Sequence, residues 1–196
     1  MSSELSTRDQ IEDKYQWNIG DIYSSIKEWE NDFNEVKRLL DEISDYENKI
    51  TKSAKNLLKI LELLMKIDRK SSKLYTYAHL GQDQNTRNQK YQEIFGRAQD
   101  LYNEVNDITS FINPEIVKLT EKELKTFYQE KPELKKYEKY LDNIFRKKEH
   151  FLSKKEERLL GLSSSITQSA ENIFNMLNDA DFTFPMIENE EEEEVR

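Results

Sequence analysis

Two histidines, His79 and His150, are the side chains in this 196-residue sequence best suited to metal or acid–base chemistry. Imidazole changes charge near neutral pH and is the commonest nitrogen ligand of zinc. A hydrolytic zinc site sets its ligands at fixed spacing, commonly His-Glu-x-x-His on one helix. His79 is followed by Leu80-Gly81-Gln82-Asp83 and His150 by Phe151-Leu152-Ser153-Lys154, so neither has a histidine four positions on. A site joining both histidines to an Asp or Glu is sterically open, but it lacks the supporting pattern of a catalytic zinc centre. The plainer reading puts His79 on a helix face against its neighbours and His150 near a helix end, where a cation suits the dipole.

Other chemistries fare no better. A serine nucleophile sits at an exposed elbow of the form Gly-x-Ser-x-Gly. Gly161-Leu162-Ser163-Ser164-Ser165 lacks the second glycine and continues a helical pattern. Phosphate-cradling loops need closely spaced glycines ahead of a helix, whereas Gly20, Gly81, Gly96 and Gly161 stand far apart. Arg146-Lys147-Lys148 with Lys154-Lys155 offers charge for an anion, although a solvated helix end accounts for it as well. The glutamate run at 190–194 reads as a solvated segment, with cation or partner binding as the minority alternative. Tyr75, Tyr77 and His79 together are the best candidate for a polar cleft wall, and packing explains them nearly as well. Paired carboxylates are too common at this charge density to be informative. The sequence therefore assigns no catalytic residue and no metal ligand, and leaves the substrate-binding residues unknown.

Composition narrows the classes further. The net charge is −9, and six glutamates against one arginine over 188–196 supply much of it. An acidic balance opposes phosphate backbones, so no nucleic-acid partner is expected. With no cysteine there is neither a disulfide framework nor a thiolate ligand. Met1 to Arg8 has no apolar run of the signal-peptide kind, and no window approaches the ~20 apolar residues of a membrane span. No membrane partner is expected, and the expected location is the cytoplasm.

The elements that would position any site read as helices. Ser25 with Glu28 forms a capping-box pattern, and Ile26, Trp29, Phe33, Val36, Leu40, Ile43 and Tyr46 follow at three- and four-residue steps. A second helix is predicted from Ser53, with Leu57, Leu58, Leu61, Leu64, Met65, Asp68, Ser72, Tyr75 and His79 along one side, and Gly81 to Asn88 as a polar connection. A third carries Tyr91, Phe95, Ala98, Leu101, Val105, Ile108 and Ile112, with a break or restart at Asn113-Pro114. Thr120 with Glu123 caps a short helix, Pro132 begins the next with Leu134, Tyr137, Leu141, Ile144 and Phe145 inward, and Ser153 with Glu156 opens a long one ending at Asp179 to Asp181. Phe182-Thr183-Phe184 alternates as a short strand does. The predicted fold class is all-α, an antiparallel long-helix bundle with a short strand near the C-terminus. Its parts are a docking segment (1–24) held by Tyr15, Trp17, Ile19, Ile22 and Tyr23, long-helix hairpins (25–112), a second helical part (113–181), and a strand start with acidic tail (182–196).

Several stretches together resemble the N-terminal region of oligoendopeptidase F, in the M3 family of zinc metallopeptidases. They are Asp13-Lys14-Tyr15-Gln16-Trp17-Asn18-Ile19-Gly20-Asp21-Ile22-Tyr23, then Tyr77-Ala78-His79-Leu80-Gly81-Gln82-Asp83-Gln84-Asn85-Thr86-Arg87-Asn88, and Phe111-Ile112-Asn113-Pro114-Glu115-Ile116. Tyr137 to Ile144, His150 to Leu160 and Asn172 to Asp181 continue the series in the family's order. The resemblance implies a cytosolic enzyme that cuts short peptides inside a helical, clam-like shell. It implies zinc in a later catalytic part, where the ion activates water and polarises the peptide carbonyl. His-Glu-x-x-His is absent from these residues, so no family zinc or catalytic position is carried over. The expected partners are then short peptides, met through the complete enzyme, and a catalytic C-terminal half. This chain alone is expected to be inactive. The alternative is a free-standing helical interaction module without enzymatic activity.

Overall fold

The computed structural model describes residues 11–16, 18–85, 88–148, 154–178, 182, 187–188 and 194–195. They divide between two compact units, Ile19–Leu162 and a second made of Met1–Asn18 with Ser163–Arg196.

In the Ile19–Leu162 unit, four helices start where a side chain answers a free amide. α1 (Ile26–Ser44) is capped by Ser25, whose hydroxyl accepts from the Glu28 amide. The Glu28 carboxylate accepts from the amide of Ser24, one residue earlier than in a reciprocal box, at 3.1 Å. α2 (Ala54–Gln84) starts on Ser53, which accepts from the Asn56 amide, and α3 (Gln89–Thr109) on Asn88, which accepts from Lys90. α5 (Glu121–Glu130) carries the full Thr120–Glu123 box. Pro132 opens a 3-10 turn through Tyr137 that runs into α6 (Glu138–Arg146). The break expected at Asn113-Pro114 falls earlier: α3 stops at Thr109, and α4 (Ile112–Ile116) takes Pro114 into its first turn, where the missing amide has no helical partner to lose.

The connection predicted from Gly81 is a second correction. α2 runs on to Gln84, and Gly81 is buried inside it. A Cβ at Gly81 would stand 2.3 Å from Cδ1 of Tyr91, so the absence of a side chain is what lets α3 approach. The buried side of α2 also differs from the predicted one. Leu57 and Leu61 are buried, but Asp68, Ser72 and His79 are exposed, and the inward row continues through Ile67, Ser71, Leu74, Ala78 and Gly81. Small residues admit a close neighbour without being hydrophobic themselves, so a pattern search for large apolar groups passes over them.

Polar rungs record the directions of the long helices. Asp32 pairs with Lys70, Glu35 with Lys70 and Lys66 at 2.9 and 2.6 Å, and Glu42 with Lys59 at 2.9 Å, so α1 and α2 run antiparallel. Glu30 meets Arg97 and Lys37 meets Glu104, so α1 and α3 run parallel. Trp29, Val36, Ile43, Ile50, Leu57, Ile60, Ile67 and Ile116 form the innermost core. Tyr23 is buried there, whereas Tyr15 is exposed, and Trp17 lies outside the described residues.

α7 (Lys154–Met176) spans the boundary between the units. Its Ser153 cap and its expected end at Asp179 to Asp181 lie outside the described residues. Its apolar residues Leu159, Leu162, Ile166 and Ile173 are exposed, as is Leu177 just past its end. In the second unit, β1 (Ile187–Glu188) pairs antiparallel with β2 (Glu194–Val195). The strand expected at 182–184 is not among these: Phe182 is not in a strand, and Thr183 and Phe184 lie outside the described residues.

Candidate functional site

The helical period divides the Tyr75, Tyr77 and His79 cluster. Residues two apart on a helix point to opposite sides. Tyr77 is buried, edge-on to Tyr23 at 5.4 Å and to Tyr91 at 6.2 Å. Burial, aided by a hydrogen bond with Tyr91, pushes its phenol up to about 12. Tyr75 and His79 face the other way. Their rings stack at 5.8 Å, and Phe95 of α3 lies 5.5 Å from Tyr75 and 5.3 Å from His79. Tyr102 extends the row and is exposed, so four aromatic rings form a half-wet strip across α2 and α3.

His79 is half exposed, with Nδ1 3.7 Å from the Asp83 carboxylate, one turn on. Two groups do not make a zinc site, and among the described residues no set of three His, Cys, Asp or Glu side chains is placed to hold a metal ion. The residues described do not fit the family's zinc. His150 lies outside them. Ser163, Ser164 and Ser165 are within α7, not at a strand-to-helix elbow. Arg146 ends α6 with its guanidinium donating to Asn143 Oδ1, and Lys147 and Lys148 are exposed beyond it, as on a solvated helix end. Of the glutamate run, only Glu194 is described, in β2.

A second site was not legible in the sequence. A cleft of about 630 Å³ lies between α2 and the 132–146 segment, lined by Met65, Asp68, Arg69, Lys136, Tyr137, Lys139, Tyr140 and Asn143. Lys136 bonds Glu62 at 3.2 Å and holds its ammonium 4.9 Å over the Tyr137 ring. Burial raises the Tyr140 phenol, and the charge of Asp68 adds to it. Arg69 and Lys139 are exposed and make no ion pair among the described residues. The two walls come from positions far apart in the chain, so no local motif announces them.

A family model described as Oligopeptidase F, for the N-terminal part of M3 peptidases, matches residues 115–184. Oligopeptidase PepF of Bacillus subtilis is 36% identical over 97% of this chain, which spans 28% of that protein. Group B oligopeptidase PepB of Streptococcus agalactiae is 35% identical over 96% of the chain, spanning 31% of that protein. The crystal structure of oligoendopeptidase-F from Enterococcus faecium superposes with a TM-score of 0.77 at 30% identity, covering 87% of this chain and 33% of that one. In sequence and in fold, the chain matches the N-terminal region of oligoendopeptidase F. It thus spans about a third of the length of the curated oligoendopeptidase F relatives it matches. The stretch from Tyr77 to Asn88 that carries the resemblance supplies the α2 side of the Gly81–Tyr91 contact. Among the described residues, no helix is long and apolar enough to cross a membrane.

Proposed function

We propose that this chain is the substrate-enclosing helical region of an oligoendopeptidase F-like zinc metalloendopeptidase that cleaves short peptides. The observation that carries this reading is the match to the Enterococcus faecium enzyme at a TM-score of 0.77, confined to 33% of that protein. The long-helix hairpins of 25–112 and the helical part of 113–181 would form one wall, an antiparallel bundle that admits only short, unfolded chains. The strand start and acidic tail of 182–196 would lead toward the catalytic half, in the cytoplasm. The contribution of such a wall is binding and orientation, which lower the barrier by placing the scissile bond and not by reacting with it. This chain alone is therefore expected to be inactive. The test is a quenched short peptide assayed with the pure chain, with a separately produced M3 catalytic half, and with both. Cleavage only by the pair, abolished by EDTA, is expected. EDTA-sensitive cleavage by the pure chain would refute the inactive-wall reading.

A second reading, a free-standing interaction module, draws on the exposed apolar row of α7, since patches of that kind recruit partners. A chain that stays monomeric, binds a protein partner through that row and gives no activity with any M3 catalytic half would favour it.

A further inference from the structure

We propose that the cleft between α2 and the 132–146 segment binds the carboxylate of a short peptide. Its volume of about 630 Å³ is in the range of small-ligand sites. Its lining carries three cations, Arg69, Lys136 and Lys139, against one carboxylate, Asp68. Lys136 is already answered by Glu62, and its hydrogen bond to that carboxylate raises its affinity for the proton. Arg69 and Lys139, from opposite walls, make no ion pair among the described residues and are the pair left for an incoming anion. A guanidinium forks onto a carboxylate through two parallel N–H groups, and a neighbouring ammonium adds a point charge.

The rest of the lining selects a peptide over a bare anion. Asp68 would repel a compact multivalent anion, but its oxygens can accept main-chain N–H groups next to a peptide carboxylate. Tyr137, Tyr140 and Met65 supply flat and flexible apolar surface for an adjoining side chain. The choice of a peptide as the carrier rests on the peptidase reading, whereas carboxylate selectivity rests on the cleft alone.

The test uses this chain without any catalytic half, followed by amide NMR shifts at 65–69 and 136–143. The probes are an N-acetylated tetra-alanine with a free C-terminus, its C-terminal amide, and a blocked peptide amide carrying one internal Glu. The free acid is expected to shift the cleft residues and the amide to bind about tenfold more weakly, as the loss of one charge-assisted contact implies. If the Glu peptide amide matches the acid, the proposal stands with a side-chain carboxylate as its source; if it behaves like the neutral amide, the terminal carboxylate is the source. Arg69→Ala with Lys139→Ala, both at exposed positions, should erase the preference while leaving the circular dichroism unchanged. Equal binding of acid and neutral amide, or acid-induced shifts elsewhere only, overturns the proposal. Failure of the two-part peptidase assay leaves this result intact, so the two readings fail separately.

Discussion

Glu115 shows how much one buried charge can organise. It is only 4% exposed, yet its two oxygens accept from the amides of Asn48 and Ile50, each at 2.8 Å. Those amides belong to the turn joining α1 to α2, where Asn48 takes a φ of 60°, a left-handed conformation that asparagine tolerates better than most residues. Charged acceptors make the stronger hydrogen bonds, and a buried amide without a partner is costly. Glu115→Ala is therefore expected to lower the unfolding free energy by about 2–4 kcal/mol, read from urea titrations. A loss of only a few tenths would mean that the turn holds itself. In the sequence, Glu115 is one carboxylate among many. Gly81 makes the opposite case, a residue defined by what it lacks. Gly81→Ala improves local helix propensity by about 1 kcal/mol but drives a methyl into the Tyr91 ring, for a net loss of about 1–2 kcal/mol. In a Tyr91→Ala background the same change should become neutral or stabilising; if the loss persists there, the ring contact is not its cause.

At the scale of elements, the seam between α1 and α2 is ionic along its edge. Hydrogen bonds from Lys66 and then Lys70 hold the Glu35 carboxyl down to about 2 from its usual 4.5. Burial works against ionising Asp32, but hydrogen bonds from Lys70 and Tyr23 outweigh it and leave the carboxyl below its ordinary value. Burial and that hydrogen bond to Asp32 push the Tyr23 phenol far up. A carboxyl with a depressed folded-state pKa stabilises the fold above its unfolded value and stops doing so as the pH falls through the folded one. For Glu35 the contribution is complete above 4.5 and lost on the way down to about 2. Thermal or urea unfolding should therefore weaken across that acid window, and Glu35→Gln should flatten the slope while costing some stability at neutral pH. An unchanged slope in the variant would remove Glu35 from the account. The starts of these helices were legible because capping is local: Ser53 and Thr120 answer amides within three residues. Which side of α2 faces inward was not, because Ser71, Ala78 and Gly81 are buried by the neighbours that approach them.

For the molecule as a whole, the row on α7 has the largest consequence in solution. Ile166 and Ile173 are 75% and 67% exposed, and Leu159, Leu162 and Leu177 continue the row. Apolar area left in water drives association. Sedimentation velocity on the isolated chain should show self-association that grows with concentration. Ile166→Glu with Ile173→Glu should suppress it without shifting the unfolding of the Ile19–Leu162 unit; a monomer at every concentration would argue instead for a module shaped to stand alone. What the sequence determined by itself is the helical class, most helix starts and the resemblance to the oligoendopeptidase F N-terminal region, since periodicity, caps and ordered stretches are properties of neighbours along the chain. What only the tertiary structure decided is the clamp of Glu115 on the turn at Asn48 and the placing of Arg69 and Lys139 around one cleft. Each depends on which helix faces come together, and that choice is made by packing between segments some seventy residues apart.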